Sequence, residues 1–228
     1  MATQREVQAI IVTIVGAGCA GALAACCLAE CLPCARIVFF CRDNPNGHEL
    51  EPVVLDAVPP LLRNTIDDVV VHEWSSFIIV CDGKQTRHSA RIALIDPMQI
   101  ALQLDRYGDR ITVRTDGAPA LHEGLDVLDL TSLHNRDGAG MLMASKDLAE
   151  LSCPVLGDFD VSRPNGVALQ YFPVASGRVL TRQFAINAGL GEDGVNGGAS
   201  LATAMLAASG NANAAISRVH EYVLKLSP

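Results

Sequence analysis

Positive charge and aromatic side chains are both scarce in this chain. There are 17 lysines and arginines against 25 aspartates and glutamates, a formal net charge of −8, and aromatics make up 4% with a single tryptophan. A chain so charged cannot neutralise a run of phosphates, and it has few rings on which bases could stack, so nucleic acid is excluded as a partner. No segment reaches the roughly 20 uninterrupted apolar residues of a membrane-spanning helix. Nor is there a Gly-x-Ser-x-Gly, a His-Glu-x-x-His or a Gly-Lys-Ser/Thr, so hydrolase, zinc-protease and nucleotide-triphosphatase chemistry lack support. There is no internal repeat.

What the chain does have is apolar residues, half of its 228, with only 18% charged. That balance suits a buried α/β sheet in one compact unit over 1–228. The first apolar stretch is no targeting signal, because a glycine turn interrupts it and it continues as a helix instead of ending at a cleavage site. Of the eight cysteines, five fall between Cys19 and Cys34 on one predicted helix and its end, where they act as small core residues. A reducing, cytoplasmic setting follows. Cys31-Leu-Pro-Cys34 is the one spacing with redox or zinc potential, but no second pair and no nearby histidine accompany it. It also sits at a helix C-terminus, where the macrodipole disfavours thiolate.

The informative stretch is Val12 to Ala29, VTIVGAGCAGALAACCLA. A β-type run meets Gly16, Gly18 and Gly21 and passes into a small-residue helix. A second apolar run, Ile37 to Cys41, follows within about 30 residues, the context in which this glycine spacing signifies a dinucleotide pyrophosphate site. The end of that second strand should carry a carboxylate for the ribose hydroxyls. Here it is Cys41, a poor hydrogen-bond partner, followed by Arg42, which suits a phosphate better than a diol, and then by Asp43.

Further along, Asn44 to Asn64 is rich in turn residues and is expected to be irregular. VVVHEW and SFIIV are β-type runs, Cys81 to Lys84 forms a hairpin turn, and Gln85 to Leu94 returns antiparallel. Asp96-Pro97 starts a helix with Met98, Leu102 and Tyr107 facing inward. RITVR and LDVLDL are strands, His134 to Glu150 is a surface segment, and three β runs between Pro154 and Ile186 form an antiparallel platform. Ser200 to Ala208 and Ala212 to Leu226 are helical. The expected fold is therefore α/β: a Rossmann-like dinucleotide-binding part over 8–45, 108–132 and 184–228, with an inserted antiparallel β platform over 66–107 and 152–183.

With these stretches in order, the sequence resembles the lycopene cyclase family, flavoproteins that close the terminal rings of a linear carotenoid. The resemblance is carried by IVGAGCAG, VVHEW, IALIDPMQIALQLDR, CPVLGDFDV, NGVALQYFPVASGRVL and AGLGEDGVNGGASL. It implies FAD as cofactor, held by Gly16, Gly18 and Gly21, with Gly189, Gly197, Gly198 and Ser200 closing over the flavin and Asp43 a substitute for the missing ribose acid. Where the family carries an acidic pair, this chain has Thr181-Arg182-Gln183, and a guanidinium cannot donate a proton usefully at neutral pH. The family's long insertion before the last glycine-rich run is also missing, which points to a smaller apolar substrate, or to a homo-oligomer or protein partner completing the pocket.

The acids left for chemistry are Asp158 and Asp160, two apart on a β run and able to share a proton; the alternative is that Asp158 caps a turn and Asp160 is solvated. Tyr171 could orient a substrate or simply pack. His72 and Trp74 share one strand face and could line an apolar substrate pocket or belong to the core. Three functions fit: a compact cyclase acting without net redox change on a small apolar polyene-type metabolite, a small FAD- or NAD(P)-dependent oxidoreductase, and a non-catalytic partner protein with a decayed cofactor site.

Overall fold

The computed structural model describes residues 10–16, 18–41, 50–81, 84–115, 126–130, 141–143, 152–159, 167–175, 178–185 and 210–226. Its first layer is a parallel sheet. Strand β1 (Ile11–Val15) leads into α1 (Gly18–Cys31) and back to β2 (Arg36–Phe40). Strands β8 (Ile111–Arg114) and β9 (Asp126–Asp129) complete the order β8-β2-β1-β9, every pair parallel. As expected of a sheet covered by helices, the runs are nearly continuous in apolar residues, and Val12, Ile14, Ile37 and Phe39 are buried. The chain leaves β1 toward β2 on one side and reaches β9 on the other, so β1 is the switch point of the sheet. In open α/β sheets the crevice at the carboxyl end of that strand is where ligands bind.

Two further sheets follow. Strands β3 (Glu51–Val54), β4 (Val70–Trp74) and β7 (Ile92–Ile95) form an antiparallel sheet in the order β3-β7-β4. The larger sheet runs β10-β13-β12-β11-β5-β6, built from β5 (Phe77–Cys81), β6 (Lys84–His88), β10 (Met141–Met143), β11 (Val155–Phe159), β12 (Val167–Ala175) and β13 (Arg178–Ala185). Its pairs are antiparallel except β11 with β5. The fold is thus α/β, a Rossmann-like parallel sheet joined to antiparallel β structure.

Several local expectations give way to tertiary context. The stretch expected to be irregular holds β3, two 3₁₀ turns (Leu55–Ala57 and Pro60–Leu62) and the short helix α2 (Arg63–Asp67). Pro52 is tolerated because β3 is an edge strand. Gln85 to Leu94 is not one returning strand but parts of two, β6 and β7, in different sheets. Within the segment expected to lie on the surface, Met141–Met143 pairs with β13.

Helix α3 (Pro97–Arg106) begins as predicted, the Asp96 carboxylate accepting the Met98 N–H at 2.9 Å. Tyr107 packs against the core as expected, but the other two positions expected inside are turned outward. Met98 and Leu102 are 60% and 52% exposed, while Ile100, Gln103 and Leu104 are buried. Gln103 can go inside because its amide donates to Asp68 at 2.9 Å.

The last described helix, α4 (Gly210–Leu226), packs on α1 and β3. Its buried Asn213 accepts the Val54 N–H at 2.8 Å and donates to the Val54 carbonyl at 3.0 Å. One side chain thus satisfies a backbone pair that edge strand β3 would otherwise leave open. Among the described residues no helix is long and apolar enough to cross a membrane.

Candidate functional site

The site is built where β1 ends. Gly16 and Gly18 have φ of 94° and 44°, the left-handed region that glycine enters without a Cβ penalty. The Gly16 N–H donates to the Phe40 carbonyl at 2.9 Å, which ties the turn to the end of β2. A Cβ on Gly18 would meet nothing within 4 Å, so this part of the backbone is open to close approach. On Gly21, by contrast, a Cβ would lie 2.3 Å from the Gly16 carbonyl oxygen and 2.6 Å from the Phe39 ring. The three glycines therefore make the turn, bare its backbone and let helix and strand touch, in that order.

Helix α1 follows with no acidic residue in its first turn. Its unpaired N–H groups and macrodipole favour an anion at that end. Cys19 through Ala29 are all buried, so the helix is held firmly beneath the turn. At the far end, the Arg110 guanidinium donates to the Ala29 and Pro33 carbonyls at 2.7 and 3.1 Å, and the Tyr107 hydroxyl donates to Glu30 at 2.7 Å. Burial is the main reason the Cys26 thiol is pushed up to about 12 and Cys31 to about 11, and it carries Cys27 well above the ordinary value. These thiols stay protonated and serve as small core side chains. Among the described residues no cluster of three metal-ligating side chains occurs.

At the ribose end, Cys41 continues the β2 ladder, its N–H donating to the Arg114 carbonyl at 2.9 Å. It is 3% exposed and belongs to the same core as α1. The pyrophosphate half of a dinucleotide is well fitted by this arrangement. At the ribose half, among the described residues, the strand end presents the buried Cys41 thiol where FAD offers a neutral diol. Asp43 lies outside the described residues, as do Gly189, Gly197, Gly198, Ser200 and the run Ser200 to Ala208.

The other candidate residues lie on the antiparallel sheets. His72 and Trp74 share a face of β4, and Glu73, between them, turns outward to pair with Arg91 at 2.6 Å. The Trp74 ring centroid is 6.0 Å from both the His72 and the Phe172 rings. Phe172 is fully buried in a second core with Phe77, Ile79, Leu94, Leu156 and Leu180, and Trp74 packs half-buried at its margin. Tyr171 precedes Phe172 on β12, so alternation places its ring on the opposite face of the large sheet. Trp74 and Tyr171 are accordingly not brought together. Asp158 lies on β11, with a register shift between it and Leu156, and Asp160 lies outside the described residues.

Phe39, Asn213 and Arg114 were not singled out from the sequence. Phe39 could have been found from the third glycine, which needs a strand residue to pack against. Asn213 and Arg114 carry no comparable local signal.

No family model and no curated protein matches this chain. Among solved structures, Xcc4156, a flavin-dependent halogenase from Xanthomonas campestris, aligns over 96% of this chain and 70% of its own, with a TM-score of 0.54 and 11% identity. The two share a fold. CtdE in complex with FAD is similar at a TM-score of 0.46 and 13% identity over 81% of this chain, and the p-nitrophenol 4-monooxygenase PnpA from Pseudomonas putida at 0.48 and 12% over 82%. The chain spans 61% of the length of CtdE and 59% of that of PnpA.

Proposed function

We propose that this chain is a dinucleotide-dependent oxidoreductase of the flavoprotein type, acting on a small apolar substrate. The observation that carries the reading is the turn at the switch strand: Gly16 and Gly18 in left-handed backbone, open space over Gly18, and an anion-favouring helix start. FAD is the first ligand to test, because the halogenase of shared fold is described as flavin-dependent. The Gly16–Gly21 backbone would hold the pyrophosphate. Trp74, half-buried against Phe172 and beside His72, offers the apolar aromatic surface for a substrate.

The test is to follow the flavin band and the absorbance of reduced nicotinamide while apolar candidates are added to the protein and either dinucleotide. Consumption of reduced nicotinamide that rises with substrate is the expected result. A bound dinucleotide that never changes oxidation state while product forms would remove the oxidoreductase reading.

That outcome belongs to a second reading, favoured by the order of the stretches that resemble lycopene cyclases: cyclisation of a small apolar polyene-type metabolite without net redox change. Asp158, Asp160 and Tyr171 would then be the groups supplying or orienting the proton. Cyclisation leaves substrate mass and nicotinamide unchanged, so mass spectrometry of the product separates the two. A folded chain that binds no dinucleotide would instead be a partner protein.

A further inference from the structure

We propose that the apolar substrate of this chain carries a carboxylate, and that Arg182 receives it. The inference rests on reading Trp74 as part of the substrate surface and deepens that reading by naming the group at the polar end of the ligand.

Two sheets face each other at this surface. The smaller one brings Trp74, Ile92 and Leu94, and the larger one brings Phe172 and Leu180. The Trp74 and Phe172 ring centroids are 6.0 Å apart. Register decides what else lies on the larger sheet's inner face. Phe172 pairs with Leu180, and Gln170 pairs with Arg182, with no shift between the two pairs. Alternation therefore places Gln170 and Arg182 on the face that Phe172 and Leu180 bury, one pair or about 7 Å along the strands. Gln170 is 2% exposed, so the two strands meet there away from water.

A positive charge at such a position is costly unless an anion meets it. The described residues of the facing strands supply no acid. Glu73 turns outward to Arg91, Glu51 pairs with Ile95 on the side of the α1 core, and a bulge pairs Asp158 with Val80, on the other face from Ile79. A guanidinium, which cannot be the acid of the cyclase-like reading, is well shaped for the two oxygens of a carboxylate. An apolar wall with one fixed positive charge selects a ligand that is apolar along its length and anionic at one end.

Trp74 is the single tryptophan, so its fluorescence reports on this face. The test is to titrate the full chain with benzoate, 4-phenylbutyrate and decanoate, each against its uncharged primary amide. At least one acid is expected to shift the Trp74 emission saturably and to bind about tenfold or more tighter than its amide, the worth of one charge-assisted contact. In Arg182→Met, shown by circular dichroism to be folded, that acid should fall to the level of its amide while the amide is unchanged. Arg182→Lys, which keeps the charge without the planar fork, should lie between the two. If Arg182→Met does not fold, the wild-type ratio of acid to amide and Arg182→Lys decide. Amides binding as tightly as acids, or a ratio unmoved by Arg182→Met, overturns the carboxylate while leaving the apolar surface in place. Emission unmoved by every acid and every amide overturns the surface at Trp74 and the inference with it.

Discussion

The ring of Phe39 lies so close to Gly21 that a Cβ on the glycine would come within 2.6 Å of it, and within 2.3 Å of the Gly16 carbonyl oxygen. Helix α1, strand β2 and the turn therefore fix one another, and the turn's open side is a consequence of its tightly packed one. Gly21→Ala should destabilise the chain by about 3 kcal/mol, the upper end of overpacking costs, as read from denaturant midpoints. Adding Phe39→Leu should recover only part of that loss, since the Gly16 carbonyl is backbone and cannot move aside cheaply.

Asn213 makes a second such lock between α4 and β3. Removing its amide in Asn213→Ala leaves the Val54 N–H and carbonyl buried without their partner. A loss of about 2–3 kcal/mol is expected in urea unfolding. Asn213→Asp, which keeps an acceptor for the N–H but faces the carbonyl with another oxygen, should not restore it.

These two locks illustrate what the sequence made legible. The glycine turn, the parallel runs after it and the Asp96-Pro97 helix start are local signals, and the structure bears them out. The outward turn of Met98 and Leu102 on α3 was hidden, because a buried Gln103 is stable only through Asp68, 35 residues earlier in the chain. The division of β6 from β7, and the placing of Trp74 and Tyr171 on opposite sides of the large sheet, depend on pairings between distant strands that no local period encodes.

Alkaline stability follows from the thiols and the phenol around α1. In the folded chain burial is the main cause that raises Cys31 from 9.0 to about 11, Cys26 from 9.0 to about 12 and Tyr107 from 10.0 to about 12. The unfolded chain then loses protons first, so it binds fewer than the folded one as pH rises above 9.0. Stability is full below that value and is lost as pH climbs through 11 to 12. The urea midpoint should fall across this window, and Tyr107→Phe should remove part of the fall.

Thiol accessibility should follow the same order. Cys34 is exposed, Cys31 half-buried, and Cys26 and Cys27 buried. Alkylation of the native protein at neutral pH, read by peptide mass spectrometry, should mark Cys34 well before Cys31 and leave Cys26 and Cys27 unmodified until denaturant is added. Equal, rapid labelling of Cys31 and Cys34 would instead indicate a reactive pair.

The central claim is that the Gly16–Gly21 turn holds a dinucleotide, and Gly18 is the place to test it. With φ of 44° and nothing within 4 Å, Gly18→Val should cost only about 1–2 kcal/mol of backbone strain yet fill the open face of the turn. Calorimetric titration of wild type and Gly18→Val with NADP⁺ and FAD is the decisive comparison, with circular dichroism confirming that both are folded. Saturable binding of either dinucleotide by the wild type and its loss in the variant is the predicted result. Binding that persists in Gly18→Val, or no binding by folded wild type, would contradict the account.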